Sequence, residues 1–194
     1  MSLFDDDGNR PVPRTGADWS TMRAHRHAAG GPPQDEVGVL ALSSFVVART
    51  AEVVAAVRGV TAYSDGLTLA VVVLFADQQR TEDVAYSLQE YGRSPGRFRF
   101  GVGFSDGRQA TSGSRNSPDV ESSGAGAQLT LLGSTHVGLV WSGAYWLWPL
   151  PPPGRLVVGC RWPDRGIAET LVQLDPTPLL AAAATSRPVW EAAP

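Results

Sequence analysis

The sequence of 194 residues contains no lysine, and it has very little isoleucine or asparagine. All 16 residues in the combined Lys and Arg count are arginines, and Ile167 is the only isoleucine. This joint shortage indicates coding by a GC-rich genome, so the arginine content alone does not predict phosphate recognition. The net charge of −3 and the isoelectric point near 5.6 also give no reason to expect nucleic acid or an anionic membrane as a partner.

Cysteine is equally scarce, since Cys160 is the only one. A single cysteine excludes an intramolecular disulfide and a cysteine-rich metal site. The first residues, MSLFDDDGNR, are acidic where a secretory signal peptide is basic. The longest apolar run, 67–76, is about half of the roughly 20 residues that a membrane-spanning helix needs. We therefore expect a cytoplasmic protein.

Two stretches of the chain lack the patterns of a folded core. Residues 1–36 are rich in Pro, Gly, Asp, Arg and His without any apolar period. Such a segment buries too little apolar surface to offset its ordering entropy, so we predict a disordered leader. Residues 37–190 are predicted to form a single domain, within which a Ser/Gly-rich stretch at about 107–128 is predicted to be a flexible loop.

From residue 37 onwards the patterns are typical of β-strands. VGVLALSSFVVART and LTLAVVVLFAD are rich in Val and Leu and predict strands. AEVVAAVRGVTAY, which lies between them, fits either a helix or a strand. We predict a strand, because Ser64, Asp65 and Gly66 then close a hairpin into the next run.

The second half of the chain continues this pattern. In RFRFGVGF the apolar residues alternate with Arg and Gly, which predicts a strand with one buried face. ETLVQLD predicts a last strand, LLAAAAT predicts a short helix, and residues 81–90 predict one or two helical turns. The fold class predicted is mainly β, an antiparallel β-sandwich with immunoglobulin-like architecture and a short carboxy-terminal helix.

The last quarter of the chain carries the segments WPLPPPG, CRWP and RGI in succession. This ending resembles a group of uncharacterised proteins from GC-rich bacteria. The resemblance includes no catalytic motif and implies no function.

Three of the six tryptophans lie in YWLWPLPPPGRLVVGCRW, residues 145–162. If residues 151–154 form a hairpin loop, the segments before and after it pair as antiparallel strands. One face of this hairpin is then uniformly apolar and is assigned to the core. Its residues are Tyr145, Leu147, Leu156, Val158, Cys160 and Trp162.

The opposite face of the predicted hairpin combines indole and guanidinium groups. Its candidate binding residues are Trp146, Trp148, Arg155, Val157 and Arg161. Stacking of an indole on a guanidinium is worth about 0.5 to 2 kcal/mol, and Trp and Arg are enriched at the energetic centres of interfaces. The alternative is that the Ala-rich helix near residues 179–186 covers this face, with Trp190 closing its edge.

Two nucleophile patterns are weighed against structural explanations. GFSDG matches the G-x-S-x-G nucleophile elbow around Ser105, but the residues after it form a poor helix, so we interpret it as a hairpin turn. His136 is the only histidine outside the leader, with Asp106 or Asp119 available to orient it. Alternation places Cys160 in the core, which favours an inert thiol over a pair with His136.

No cofactor or metal is expected. His25 and His27 have a metal-compatible spacing but no third ligand nearby, and the acidic segment from Asp5 lacks the glycine and the closing glutamate of a calcium loop.

The function predicted is therefore a non-catalytic interaction or scaffold protein, whose partner is another protein or a second copy of the chain. The alternatives are a small-ligand or glycan-binding module that uses the Trp/Arg face and, less favoured, a serine hydrolase at GFSDG.

Overall fold

Residues 30–77, 96–112 and 126–190 are described by a computed structural model, and they form two antiparallel sheets followed by a short helix. The predicted leader up to residue 29, the predicted helical turns at 81–90 and most of the predicted loop lie outside the described residues. The elements are β1 (Val39–Leu42), β2 (Phe45–Arg49), β3 (Val53–Ala62), β4 (Leu67–Phe75), β5 (Arg99–Phe104), β6 (Gln109–Thr111), β7 (Gln128–Val137), β8 (Val140–Trp148), β9 (Leu156–Trp162), β10 (Ile167–Leu174) and α1 (Thr177–Thr185).

The first sheet has the order β1-β3-β4-β8-β7, and β2 also pairs with β3. β1 and β2 lie end to end along one edge of β3, because the strand predicted from residue 37 is interrupted at Ser43 and Ser44. The segment AEVVAAVRGVTAY, whose pattern fits either a helix or a strand, forms β3, as predicted. The turn at Ser64 closes its hairpin with β4, in which the Tyr63 N–H donates to the Gly66 carbonyl at 2.9 Å.

The second sheet has the order β10-β9-β5-β6. β5 is the strand predicted from RFRFGVGF, and its Phe100, Val102 and Phe104 are buried. The turn that follows leads into β6, with the Phe104 N–H donating to the Arg108 carbonyl at 2.8 Å and Gly107 at φ 87°. The interpretation of GFSDG as a hairpin turn is confirmed.

The two sheets pack face to face around one apolar core. Aromatic rings from both sheets meet edge to face within it. The ring centroids of Phe75 and Trp162 lie 6.1 Å apart, those of Phe98 and Trp162 5.4 Å, and those of Phe98 and Trp141 6.4 Å. The prediction of an antiparallel β-sandwich with a short carboxy-terminal helix is confirmed.

The hairpin predicted at residues 145–162 is wrong. β8 pairs with β4 and β7, whereas β9 pairs with β5 and β10, so the proline-rich connection crosses from one sheet to the other. Prolines have no N–H to donate across a hairpin, and the Leu150 N–H donates instead to the Asp65 carbonyl at 3.1 Å.

The core residues assigned from that hairpin are nevertheless correct. All six belong to the buried core, with exposed fractions of 3% or less. Alternation along a strand decides which side chains point inward, whichever strand lies beside it. The core residues of β8 therefore face those of β9 across the sandwich instead of lying beside them in one sheet.

α1 packs against β1 and β3 and inserts Leu179 and Ala183 into the core. At its start the Thr177 N–H donates to the Asp175 carboxylate at 2.9 Å. The helix therefore does not lie across β8 and β9, and Trp190 is 73% exposed instead of closing an edge.

Residues 31–38, here called the strap, cross the outer face of the first sheet. At one end a Cβ on Gly31 would lie 3.4 Å from the Leu132 side chain of β7, and at the other end Gly38 abuts Thr61 of β3. Because β8 and β4 lie between those two strands, the strap spans them.

Glu36 fastens the strap to two other parts of the chain. Its carboxylate accepts hydrogen bonds from the Ser64 N–H at 2.9 Å, from the Ser64 hydroxyl at 2.6 Å and from the Ser186 hydroxyl at 2.8 Å. Glu36 also forms an isolated β-bridge with Pro188. The strap, the β3–β4 turn and the end of α1 thus meet at one carboxylate.

We expect Glu36→Ala to lower the free energy of unfolding by about 1–3 kcal/mol, because hydrogen bonds to charged groups contribute more than neutral ones. Urea denaturation measures this. Glu169→Ala, which removes an exposed carboxylate from β10, is the control and should change stability by less than about 0.5 kcal/mol. Equal effects of the two substitutions would contradict the role given to Glu36.

Candidate functional site

The structure separates the five predicted binding residues into two groups. Trp146 and Trp148 lie on β8 in the first sheet, whereas Val157 and Arg161 lie on β9 in the second, with Arg155 directly before β9. The shared Trp/Arg face does not form, because the two strands are not neighbours. Binding by these residues stays a prediction, now without the face from which it was inferred.

Trp146 is covered although it points away from the core. Its indole has no exposed surface and meets the Tyr63 ring edge to face at 5.7 Å. In the sheet its register partners are Thr68 and Thr130, and the strap crosses this region. The indole is therefore closed to a ligand in this structure, while Trp148 is half-buried.

The residues on β9 share a different surface, the outer face of the second sheet. Arg155, Val157 and Arg161 alternate with the core residues of the strand and point outward. Arg99 on β5 is the register partner of Arg161, and Leu171 on β10 is the register partner of Gly159, which lies between Val157 and Arg161 on β9. We call Arg99, Arg155, Val157, Arg161 and Leu171 the arginine face.

Arg99 and Arg161 are direct register partners, and both are exposed. Within the described ranges, no carboxylate forms an ion pair with either guanidinium. Sequence reasoning placed Arg99 on the outward side of its strand but missed its pairing with Arg161. Only the long-range pairing of β5 with β9 brings the two together.

Leu171 lies over Gly159, which pairs with Gly101 two residues further along the same two strands. A Cβ on Gly159 would lie 2.6 Å from the Leu171 Cδ2 and 2.8 Å from the Thr170 carbonyl oxygen. Leu171 is 59% exposed, so it covers this glycine with one side of its side chain and presents the other to solvent.

A shallow hollow of about 380 Å³ opens at the end of the arginine face. It is lined by Gly154, Arg155, Gln173, Leu174 and Asp175. The Thr177 hydroxyl and N–H hold the pKa of Asp175 below its ordinary value by hydrogen bonding to the carboxylate. A carboxylate that stays ionised in this way is poorly suited to donate a proton.

Ser105 has a structural role in the β5–β6 turn. Its hydroxyl donates to the Pro153 carbonyl at 2.9 Å, which ties the β5–β6 turn to the proline-rich connection. Asp106 is occupied by Arg108, whose backbone N–H and guanidinium donate to its carboxylate and hold the pKa of Asp106 below its ordinary value. The strand-to-helix turn of a nucleophile elbow is not formed at this place.

Cys160 and His136 do not form a catalytic pair. Burial raises the pKa of the Cys160 thiol from 9.0 to about 11, opposed by a smaller lowering from a hydrogen bond with the Thr170 side chain. His136 lies in the other sheet, where its ring packs against Phe75 and its buried Nε2 has no hydrogen-bond partner among the described residues. Asp119 lies outside the described residues.

Comparison of the chain with protein-family models, with curated proteins and with solved structures finds no match. The resemblance of the last quarter to a bacterial group stays a prediction. No helix in the described ranges has the length and apolar character needed to cross a membrane. Among those same residues, no three His, Cys, Asp or Glu side chains come together as a metal site requires.

We expect Ser105→Ala to lower the free energy of unfolding by about 0.5–1.5 kcal/mol, because one hydroxyl-to-carbonyl hydrogen bond is lost. Any hydrolytic activity detected should stay within a fewfold of the parent protein. Thermal denaturation and hydrolysis of a generic ester measure the two effects. Ser43→Ala, at the exposed interruption between β1 and β2, is the control for stability. Loss of hydrolysis in a folded Ser105→Ala protein would contradict the turn role.

The raised pKa of Cys160 predicts a loss of stability at alkaline pH. The folded thiol keeps its proton up to about pH 11, whereas the unfolded thiol releases it near pH 9, so stability present below pH 9 is lost as the pH rises towards 11. The free energy of unfolding, measured by denaturation at each pH over this range, should fall less steeply for Cys160→Ala than for the parent protein.

Burial of the thiol also predicts slow alkylation. At pH 8 the folded thiol should react with iodoacetamide roughly a hundredfold more slowly than the unfolded one. Equal alkylation rates would contradict burial of the thiol.

Proposed function

We propose that this protein is a non-catalytic interaction or scaffold protein that binds its partner through the arginine face. The observation that carries the proposal is the grouping of Arg155, Val157 and Arg161 with Arg99 and Leu171 on one exposed sheet surface. Three of these residues were predicted as binding residues from the sequence.

The chemistry of this surface suits a protein partner. Arginine is enriched at the energetic centres of interfaces, where its planar guanidinium makes several hydrogen bonds at once. Leu171 and Val157 add apolar contact area beside the charges. A surface that mixes charge with a small apolar area is typical of partners that also exist separately.

The candidate nucleophiles support a non-catalytic function. The Ser105 hydroxyl is engaged with a backbone carbonyl, and the Cys160 thiol is buried with a raised pKa. The glycan-binding alternative requires solvent-exposed indoles on which a sugar can stack. The burial of Trp146 does not favour it. A cytoplasmic location is part of the proposal, because a lone free cysteine suits a reducing compartment.

Leu171→Ser tests the proposal. We expect the variant to recover at least about fivefold less of its cross-linked partner from cells, whether that partner is another protein or a second copy. Burial of an exposed leucine side chain at an interface stabilises the complex by about 1 kcal/mol or more, which is about fivefold in affinity. The melting temperature should change little, since Leu171 is largely exposed.

Val137→Ser is the matched control, because it removes an aliphatic side chain of similar exposure from a strand of the other sheet. Its partners should be recovered as with the parent protein. If both substitutions leave the recovered partners unchanged, the arginine face is not the binding surface.

A further inference from the structure

A like-charge pair lies at one end of the arginine face. Arg99 and Arg161 stand directly opposite each other on neighbouring antiparallel strands. Side chains in that position have Cβ atoms about 5 Å apart, and like charges there are destabilising. A bound anion between the two guanidinium groups would relieve this repulsion.

Among the residues that the structure describes, no carboxylate pairs with this positive charge. Glu169 lies at the irregularity of β10 opposite this part of β9, but it makes no ion pair with Arg161. Arg155 adds a third exposed positive charge at the other end of the face. The face therefore carries a net positive charge on a chain whose formal net charge is −3.

We infer that the arginine face binds an acidic, extended segment of a partner protein, with Arg99 and Arg161 holding a carboxylate between them. The inference rests on the proposed function and names the chemistry of its partner. Each guanidinium can donate two parallel hydrogen bonds to a carboxylate, and charge-assisted hydrogen bonds of this kind are stronger than neutral ones.

The spacing on the face also predicts the pattern of the partner. The row of Gly101, Gly159 and Leu171 lies two residues along the strands from the arginine pair, which is roughly 7 Å. An extended peptide presents side chains i and i+2 on one side at the same spacing. The partner sequence is therefore acidic, any residue, apolar, with the apolar side chain against Leu171.

Polymeric anions fit the face less well than a short acidic segment. Nucleic acid needs a basic surface that follows several phosphates, whereas here the arginines alternate with Val157 and Leu171. The net negative charge of the chain also opposes the approach of a polyanion at long range.

Fluorescence anisotropy with a labelled peptide of alternating serine with glutamate and leucine, Ser-Glu-Ser-Leu repeated twice, tests the inference. The parent protein should bind this peptide, and binding should weaken at least threefold between about 50 and 300 mM salt, because exposed charges are screened. The double variant R99Q/R161Q should bind at least tenfold more weakly. The matched control R58Q, at an exposed arginine of β3 in the other sheet, should bind as the parent does.

Any of three results of this anisotropy measurement would overturn the inference. The first is the absence of binding by the parent protein, the second is equal binding of a peptide with glutamine in place of glutamate, and the third is unchanged binding by R99Q/R161Q. Tighter arginine-dependent binding of a short single-stranded RNA than of the peptide would overturn it as well. The melting temperature of R99Q/R161Q should equal or exceed that of the parent, since a repulsive pair is removed, and R161Q alone serves if the double variant does not fold.

Partner recovery from cells separates this inference from the proposed function. If Leu171→Ser loses the partner and R99Q/R161Q keeps it, the face binds a protein but not through an acidic group. If both variants keep the partner, both proposals fail.

Discussion

The edge-to-face contacts of aromatic rings between the two sheets hold the rest of the structure in place. Phe75 from the first sheet meets Trp162 from the second, and Trp141 from the first sheet meets Phe98, directly before β5, so neither sheet can slide without separating both ring pairs. Such pairs are each worth about 0.5–1.5 kcal/mol beyond the area they bury. Because these rings lie on the inward side of their strands, the side chains that alternate with them form the outer surfaces.

Local patterns were sufficient for much of the fold. Alternation in RFRFGVGF identified the buried side of β5, and the turn at Ser64 identified the β3–β4 hairpin. The strand partners of β8 and β9 could not be predicted in the same way. A hairpin and a crossing between sheets place the same alternate residues inward, and the difference lies in long-range pairings that the local pattern does not contain.

The same distinction applies to the candidate site. The outward direction of Arg155, Val157 and Arg161 followed from alternation along one strand. The presence of Arg99 beside Arg161 depends on the pairing of two strands that are far apart in the sequence. The burial of Trp146 involves the Tyr63 ring and the close approach of Gly66, which strand pairing brings beside it. The strap, whose residues up to Glu36 have the composition predicted for the leader, is held by hydrogen bonds from Ser64 and Ser186 to Glu36.

The contacts of the strap bring the first and the last described segments together. Glu36 forms a bridge with Pro188, and the Val189 N–H donates to the Asp35 carbonyl at 2.7 Å. A short linker from residue 190 to residue 35 would join these segments, with new chain ends opened in the exposed turn at Gly138 between β7 and β8. Such a circularly permuted chain would keep every strand pairing of both sheets, so the arrangement of strands in space does not require their present order along the chain.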